Sequence, residues 1–270
     1  MSATAVGAGE QRIAAAFAAA RQDGRRAALM PYLMGGFPTL GASRAVGEAY
    51  AAAGADLVEL GVPFSDPLAD GPVIHAAGTA ALAAGATLRG VLEVGRQLAE
   101  SVPVVLMCYA NLLYARGPER AAAELAERGI SGLIVPDLPL EEAERMRAAC
   151  DAAGVALVPL VAPTTPDERL AAIGAAARGF VYTVSVTGTT GERTALDGGL
   201  HSIIGRVRER TEVPVALGFG IGTPEAAAGA AAAGADGVIV GSRLVRAAAE
   251  ADDPAAAVRE LVAGFAAALR

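Results

Sequence analysis

Cysteine and histidine are nearly missing from this chain of 270 residues: Cys108, Cys150, His75 and His201 are the complete set. None of them has the spacing of a thiolate or imidazole metal site, and both isolated thiols are expected to be buried and reduced. A secretory signal is missing too. The opening MSATAVGAGEQR has neither a basic n-region nor a leucine-rich h-region, which points to a cytoplasmic protein. Long apolar runs are absent: the charge-free stretch from Gly71 to Leu88 contains a proline, a histidine and three glycines and is otherwise mostly alanine, so no membrane span is expected. Excess positive charge is absent as well. A net charge of −7 and a pI near 5.0 oppose nonspecific nucleic-acid binding, and an anionic substrate would need local capture.

What is present is alanine, which inflates the hydrophobic fraction to 53% and, as a strong helix former with little transfer energy, indicates many helices. Short runs rich in Val, Leu and Ile alternate with Ala-Glu-Arg helical segments, the pattern of a parallel sheet. Eight such runs occur, at 29–36, 56–61, 103–110, 132–137, 156–163, 180–185, 214–220 and 237–242. Their continuous apolar character requires burial on both faces, as in a (β/α)8 TIM barrel, here with an additional N-terminal helix from Gln11 to Arg25. With no linker and no composition break, residues 11–270 read as one domain and residues 1–10 as a disordered lead.

Two strand-to-strand intervals are stretched, the second to third and the sixth to seventh, and the extra residues directly follow strand ends, where such barrels build their active sites. The first insertion follows Glu59. This glutamate shares strand parity with Leu57 and Gly61, so it falls in a largely apolar neighbourhood where its pKa should rise toward a range useful for proton transfer. The bland alternative is a salt-bridged glutamate at the barrel rim. Asp70, before Gly71 and Pro72, is either a second acid or a turn aspartate, and Asp66 before Pro67 is either an Asx-turn residue or part of a partner surface.

Gly220 and Gly241-Ser242 lie in glycine turns after the seventh and eighth strands, the first running into a helix with Thr223 as N-cap and Pro224 at its first position. Backbone N–H groups at such turns capture phosphate, although glycine is also the ordinary residue there. The Gly/Thr-rich stretch YTVSVTGTTGERTALDGG reads as a lid or as a connection of no consequence. Tyr32, Tyr182 and Phe219 suit core or pocket wall better than catalysis.

The blocks LELGVPFSDPLADGP, MCYANLLYARG, GLIVPDLPLEE, GFVYTVSVTGTTG, GFGIGTPE and GVIVGS occur in this order between about Pro31 and Val245. Together they resemble the tryptophan synthase alpha chain family. The resemblance implies cleavage of indole-3-glycerol phosphate to indole and glyceraldehyde 3-phosphate without cofactor or metal. It also implies an alpha2beta2 complex with a beta subunit that alone carries pyridoxal phosphate. It makes Glu59 and Asp70 the catalytic pair, assigns phosphate contacts to Gly191, Gly220, Gly241 and Ser242, a lid role to Thr190, and substrate-side aromatic positions to Tyr32 and Tyr182. The sequence departs from the family pattern at GGF (35–37) and in the GERT of the lid. A free-standing indole-producing lyase, a noncatalytic phosphate-binding barrel and a phosphosugar isomerase are the competing readings.

Overall fold

The computed structural model describes residues 7–184, 199–218 and 220–270. Nine parallel strand segments form one sheet: β1 Ala28–Met34, β2 Val58–Gly61, β3 Val104–Met107, β4 Gly132–Ile134, β5 Ala156–Val158, β6 Leu160–Val161, β7 Val181–Val184, β8 Val215–Gly218 and β9 Gly237–Val240. The order β5-β4-β3-β2-β1-β9-β8-β7-β6 places consecutive pieces of chain at its two ends. The expected fifth strand is therefore present but broken at Pro159, which has no N–H to give to a ladder. Its first half pairs with β4, its second half with β7, and the Pro159 carbonyl accepts the Tyr182 N–H at 2.9 Å, so one interrupted strand brings the sheet round into a barrel. On the outside of this seam lies a cavity of about 350 Å³ among Leu157, Pro139, Arg147 and Ile173.

Period-two alternation explains why the strands read as unbroken apolar runs. Met30, Leu57, Val105, Ile134, Val158, Phe180, Ala216 and Ile239 fill the barrel, while Leu29, Leu33, Val58, Leu60, Leu106 and Leu133 point outward under the helices, against Tyr50, Val91, Leu98 and Leu125. Two aspartates just before strands tie neighbouring strands together. Asp56 accepts the Leu29 N–H and the Arg25 guanidinium, both at 2.7 Å, and Asp236 accepts the Val215 N–H at 3.0 Å.

The N-terminal helix closes the base of the barrel. Ile13, Phe17 and Ala20 recur at i, i+4 and i+7, are buried, and join the interior cluster, with the Phe17 and Phe180 rings 6.0 Å apart. This helix runs from Ala8 to Gln22, earlier at both ends than the expected Gln11 to Arg25, and residues 8–10 of the expected disordered lead are helical. The physical reason is a close backbone contact: the Gly9 N–H donates to the Gly154 carbonyl at 2.8 Å, and a Cβ at Gly9 would fall 2.2 Å from the Ser131 carbonyl oxygen. Cys108 and Cys150 are buried free thiols, and burial pushes each up to about 12. Among the described residues no helix is long and apolar enough to cross a membrane.

Because Phe17 plugs the barrel floor, Phe17→Ala should cost about 3–5 kcal/mol of stability, read from urea unfolding midpoints. A loss below about 1 kcal/mol would show that the helix is only laid against the barrel.

Candidate active site

Glu59 stands in the middle of β2, in register with Tyr32 on β1 and Val105 on β3. The parity that sends Leu57 into the barrel sends Glu59 there too, one layer higher. It is 2% exposed, and neither carboxyl oxygen has a hydrogen-bond partner among the described residues. Among the described residues no cation pairs with it, unlike the salt-bridged rim glutamate. Burial first, and the nearby Asp70 charge second, raise its pKa from the ordinary 4.5 to about 8.

Asp70 reaches the same mouth from the loop after β2. Pro63 and Pro67 prevent the strand from continuing, and the chain turns into a helix at Pro72, with Gly71 as its N-cap. Asp70 thus lies just ahead of a helix N-terminus, where a carboxylate is favoured. Its Oδ1 accepts the Tyr109 hydroxyl at 3.0 Å, and that hydroxyl accepts the Ala69 N–H at 3.0 Å. Phe64 stacks on the Tyr109 ring with centroids 5.1 Å apart. Burial raises the Asp70 pKa, while the Tyr109 hydrogen bond and the His75 charge hold it down. Asp66 stays in the exposed part of the loop, bonded to the Ser65 hydroxyl at 2.5 Å, next to Leu68, which is 84% exposed.

Two tyrosines flank Glu59, each lying over a glycine. A Cβ at Gly61 would sit 2.0 Å from the Tyr32 hydroxyl oxygen, and one at Gly218 would sit 2.4 Å from that of Tyr182. Both phenols are buried and raised well above 10, first by burial and then by the neighbouring acids, so both keep their protons. Tyr32 also reaches the glycine turn after β9. Val240 pairs with Pro31, and a Cβ at Gly241 would lie 3.7 Å from the Tyr32 Cβ, in ordinary contact.

The two glycine turns are not equivalent. The helix Pro224–Ala232 is capped by its own chain: Thr223 accepts the Ala226 N–H at 3.2 Å, Pro224 has no N–H, and the Glu225 carboxylate bonds to Thr223. The helix Ser242–Glu250 begins at Gly241 without a side-chain cap, which leaves its first N–H groups to an outside acceptor. Gly220 has φ +78°, a conformation that glycine adopts at no steric cost.

The structure brings together Glu59, Asp70, Tyr32, Tyr182 and the Gly241-Ser242 turn, while Gly220 follows β8. Thr190, Gly191 and Phe219, together with residues 185–198 of the expected lid, lie outside the described residues, while its first three residues, 182–184, belong to β7. Tyr109 was missed by sequence reasoning; the available signal was a tyrosine directly after a strand end, where barrels place site residues. A second missed signal is compositional, since all 22 basic side chains are arginine and no lysine is present.

An alternating barrel with a buried, protonated carboxyl and a second acid at its C-terminal mouth belongs to the class of (β/α)-barrel enzymes. The model of the tryptophan synthase alpha chain family matches residues 17–268. The tryptophan synthase alpha chain of Synechococcus sp. (strain CC9902) is 50% identical over 236 residues, 87% of each chain, and that of Methanosarcina mazei is 47% identical over 225 residues, 83% of this chain and 82% of that one. Among solved structures, a chain of Mycobacterium tuberculosis tryptophan synthase superposes with a TM-score of 0.90 at 39% identity, covering 96% of this chain and 98% of that chain. A chain of the Pyrococcus furiosus tryptophan synthase a2b2 complex superposes with a TM-score of 0.83 at 35% identity, covering 88% and 97%. The chain belongs to the tryptophan synthase alpha chain family.

The buried carboxyl has a consequence for stability. Between pH 4.5 and about 8 the folded chain holds a proton at Glu59 that the unfolded chain has released, so this group makes stability fall as pH rises through that window. Glu59→Gln should remove that dependence and raise Tm at pH 8.5 by roughly 3–10 °C, with the difference vanishing toward pH 4.5. A variant equal to or less stable than its parent at pH 8.5 would contradict the burial reading.

Proposed function

We propose that this chain cleaves indole-3-glycerol phosphate to indole and glyceraldehyde 3-phosphate, with Glu59 as the proton-shuttling acid and Asp70 as the anion facing the indole N1–H. The observation that carries the assignment is the unpartnered Glu59 carboxyl, held protonated near neutral pH beside a second acid in a less buried setting. Two carboxyl groups in different environments take two roles.

The protons balance within one turnover. Protonated Glu59 delivers its proton to indole C3, and the positive charge that spreads to N1–H is stabilised by the Asp70 carboxylate. The Glu59 carboxylate then removes the proton from the glycerol hydroxyl next to the breaking bond. As that oxygen becomes a carbonyl, the C–C electron pair returns to the indole ring and Glu59 regains its starting proton. A chain without lysine has no side-chain amine for a Schiff base, so acid–base catalysis is the route its residues support. Tyr109 holds Asp70 in place through its hydroxyl. The N-terminus of the helix Ser242–Glu250 and the turns at Gly220 and Gly241 receive the phosphate, with Gly191 and Thr190 closing over it and Phe219 joining the pocket wall.

The same reading makes residues 8–270 one domain working in the cytoplasm. It pairs the chain with a beta subunit in an alpha2beta2 complex, and the exposed Leu68 in the acid loop suits that contact. Pyridoxal phosphate belongs to the beta subunit, which condenses the indole into tryptophan.

Indole release, assayed with and without a beta subunit, tests the proposal. Glu59→Gln and Asp70→Asn should each lower kcat by at least about 100-fold. Retention of more than a tenth of the parent rate would remove the corresponding role. In the parent, kcat/KM should fall above pH about 8 as free Glu59 loses its proton, and should fall on the acid side above the ordinary carboxylate range as Asp70 gains one. A profile that stays flat from pH 7 to 9 would contradict the Glu59 assignment.

A further inference from the structure

The Tyr32 ring runs from β1 across the face of β2. Its backbone is level with Glu59, whereas its hydroxyl lies over Gly61, two residues further toward the mouth. The hydroxyl is therefore suspended between the layer that holds Glu59 and the loop that holds Asp70, and both acids act on it electrostatically. Among the described residues its one hydrogen-bond contact is the Met34 sulfur at 3.9 Å, a weak acceptor. A buried O–H with a poor acceptor thus lies over Gly61, two residues along β2 from a buried carboxyl whose oxygens have no donor among the described residues. Buried polar groups left in this condition are costly, and an adjacent donor and acceptor remove the cost by pairing.

The other groups around Glu59 do not fill this position. Asp70 is an acceptor when ionised, and its Oδ1 is bonded to Tyr109. The Tyr109 hydroxyl has both a donor and an acceptor bond in use. His75 acts on Asp70 from the helix Pro72–Ala83. Tyr182 faces Glu59 from β7, with its hydroxyl over Gly218 on the side of β8.

We infer that Tyr32 is a positioning residue whose hydroxyl leaves the Met34 sulfur and donates to the Glu59 carboxylate whenever that group ionises. Donation favours the charged form, because an O–H bonded to a carboxylate is stronger than one bonded to a thioether or a neutral acid. In the cleavage proposed above, on which this catalytic consequence rests, the Glu59 carboxylate exists only between giving its proton to C3 and taking one from the hydroxyl. A donor that turns to it in that interval stabilises the charge and aims the free oxygen lone pair. Tyr32 itself stays protonated throughout.

The test follows the Glu59 proton directly. The infrared carboxyl band that Glu59→Gln abolishes is titrated in the full-length parent and in Tyr32→Phe, which keeps the ring and loses only the hydroxyl. The midpoint should move up by about one pH unit in Tyr32→Phe, since a donor to the anion has been removed. In the indole assay kcat should fall about tenfold, with KM within about twofold of the parent. A midpoint within about 0.3 unit of the parent, or below it, overturns the inference whatever the rate does. A merely structural tyrosine would change stability without moving the midpoint. If Tyr32→Phe does not fold, Met34→Leu answers instead: with the sulfur gone, the hydroxyl loses an acceptor that competes with Glu59 and the Glu59 midpoint should fall, while an unmoved or raised midpoint overturns the inference. A shifted midpoint in a protein that releases no indole would reject the proposed reaction and leave the hydrogen bond standing.

Discussion

A carboxyl group buried inside a sheet rolled into a barrel, without a hydrogen-bond partner among the described residues, is the constraint on which the rest of this structure depends. An acid in that position is neutral near physiological pH because burial disfavours its charged form and the nearby Asp70 charge adds to that cost. The environment therefore has to stay dry below Glu59 and open above it. Ile13 and Phe17 meet the first need by filling the barrel floor, and the loops after the strands meet the second by leaving the mouth to a substrate. A cation placed near Glu59 would strengthen the barrel and lower the acid's pKa out of the useful range. No ion pair to it occurs among the described residues, and the arginine-to-carboxylate pairs lie on the periphery, as with Arg25 and Asp56 at the base.

The packing around that acid follows a simple spatial exchange. Gly61 and Gly218 occupy inward positions that other strands fill with side chains, and the volume they release is taken by the phenols of Tyr32 and Tyr182 from the adjacent strands. A phenol suits this place because its ring packs like a hydrocarbon while its hydroxyl stays neutral and remains able to donate. Tyr32 neighbours Glu59 on one side and Gly241 on the other, so the acid on β2 and the glycine turn after β9 are held in relation by one rigid ring.

The two acids differ in environment because their supports differ. Glu59 is on a strand, level with Tyr32 and Val105 on the two adjacent strands and coupled to Tyr182 on β7, so its environment is set by the core. Asp70 is on a loop and depends on local devices: the proline turn, the helix start at Pro72 and the Tyr109 hydroxyl under the Phe64 ring. Loops carry specificity at low cost to the scaffold, whereas an acid in the core changes the stability of the whole chain.

Much of this was legible in the amino-acid order. Strand parity alone sends Glu59 to the side of Leu57, continuous apolar runs alone require a sheet covered on both faces, and Thr223-Pro224 alone marks a helix start, because each depends on residues adjacent in the chain. The tertiary structure decided the matters that depend on residues far apart. That the Asp70 carboxylate is held from outside its own turn depended on Tyr109, 39 positions away. The start of the N-terminal helix at Ala8 turned on a backbone contact with Ser131 and Gly154, and the break at Pro159 matters only because the strands on its two sides belong to opposite ends of the sheet. Local order determines which way a side chain points, since φ, ψ and pleat are set residue by residue. Whether that side chain finds a donor, a ring or an empty space is decided by closure of the barrel, which brings strands distant in sequence to within a hydrogen bond of each other.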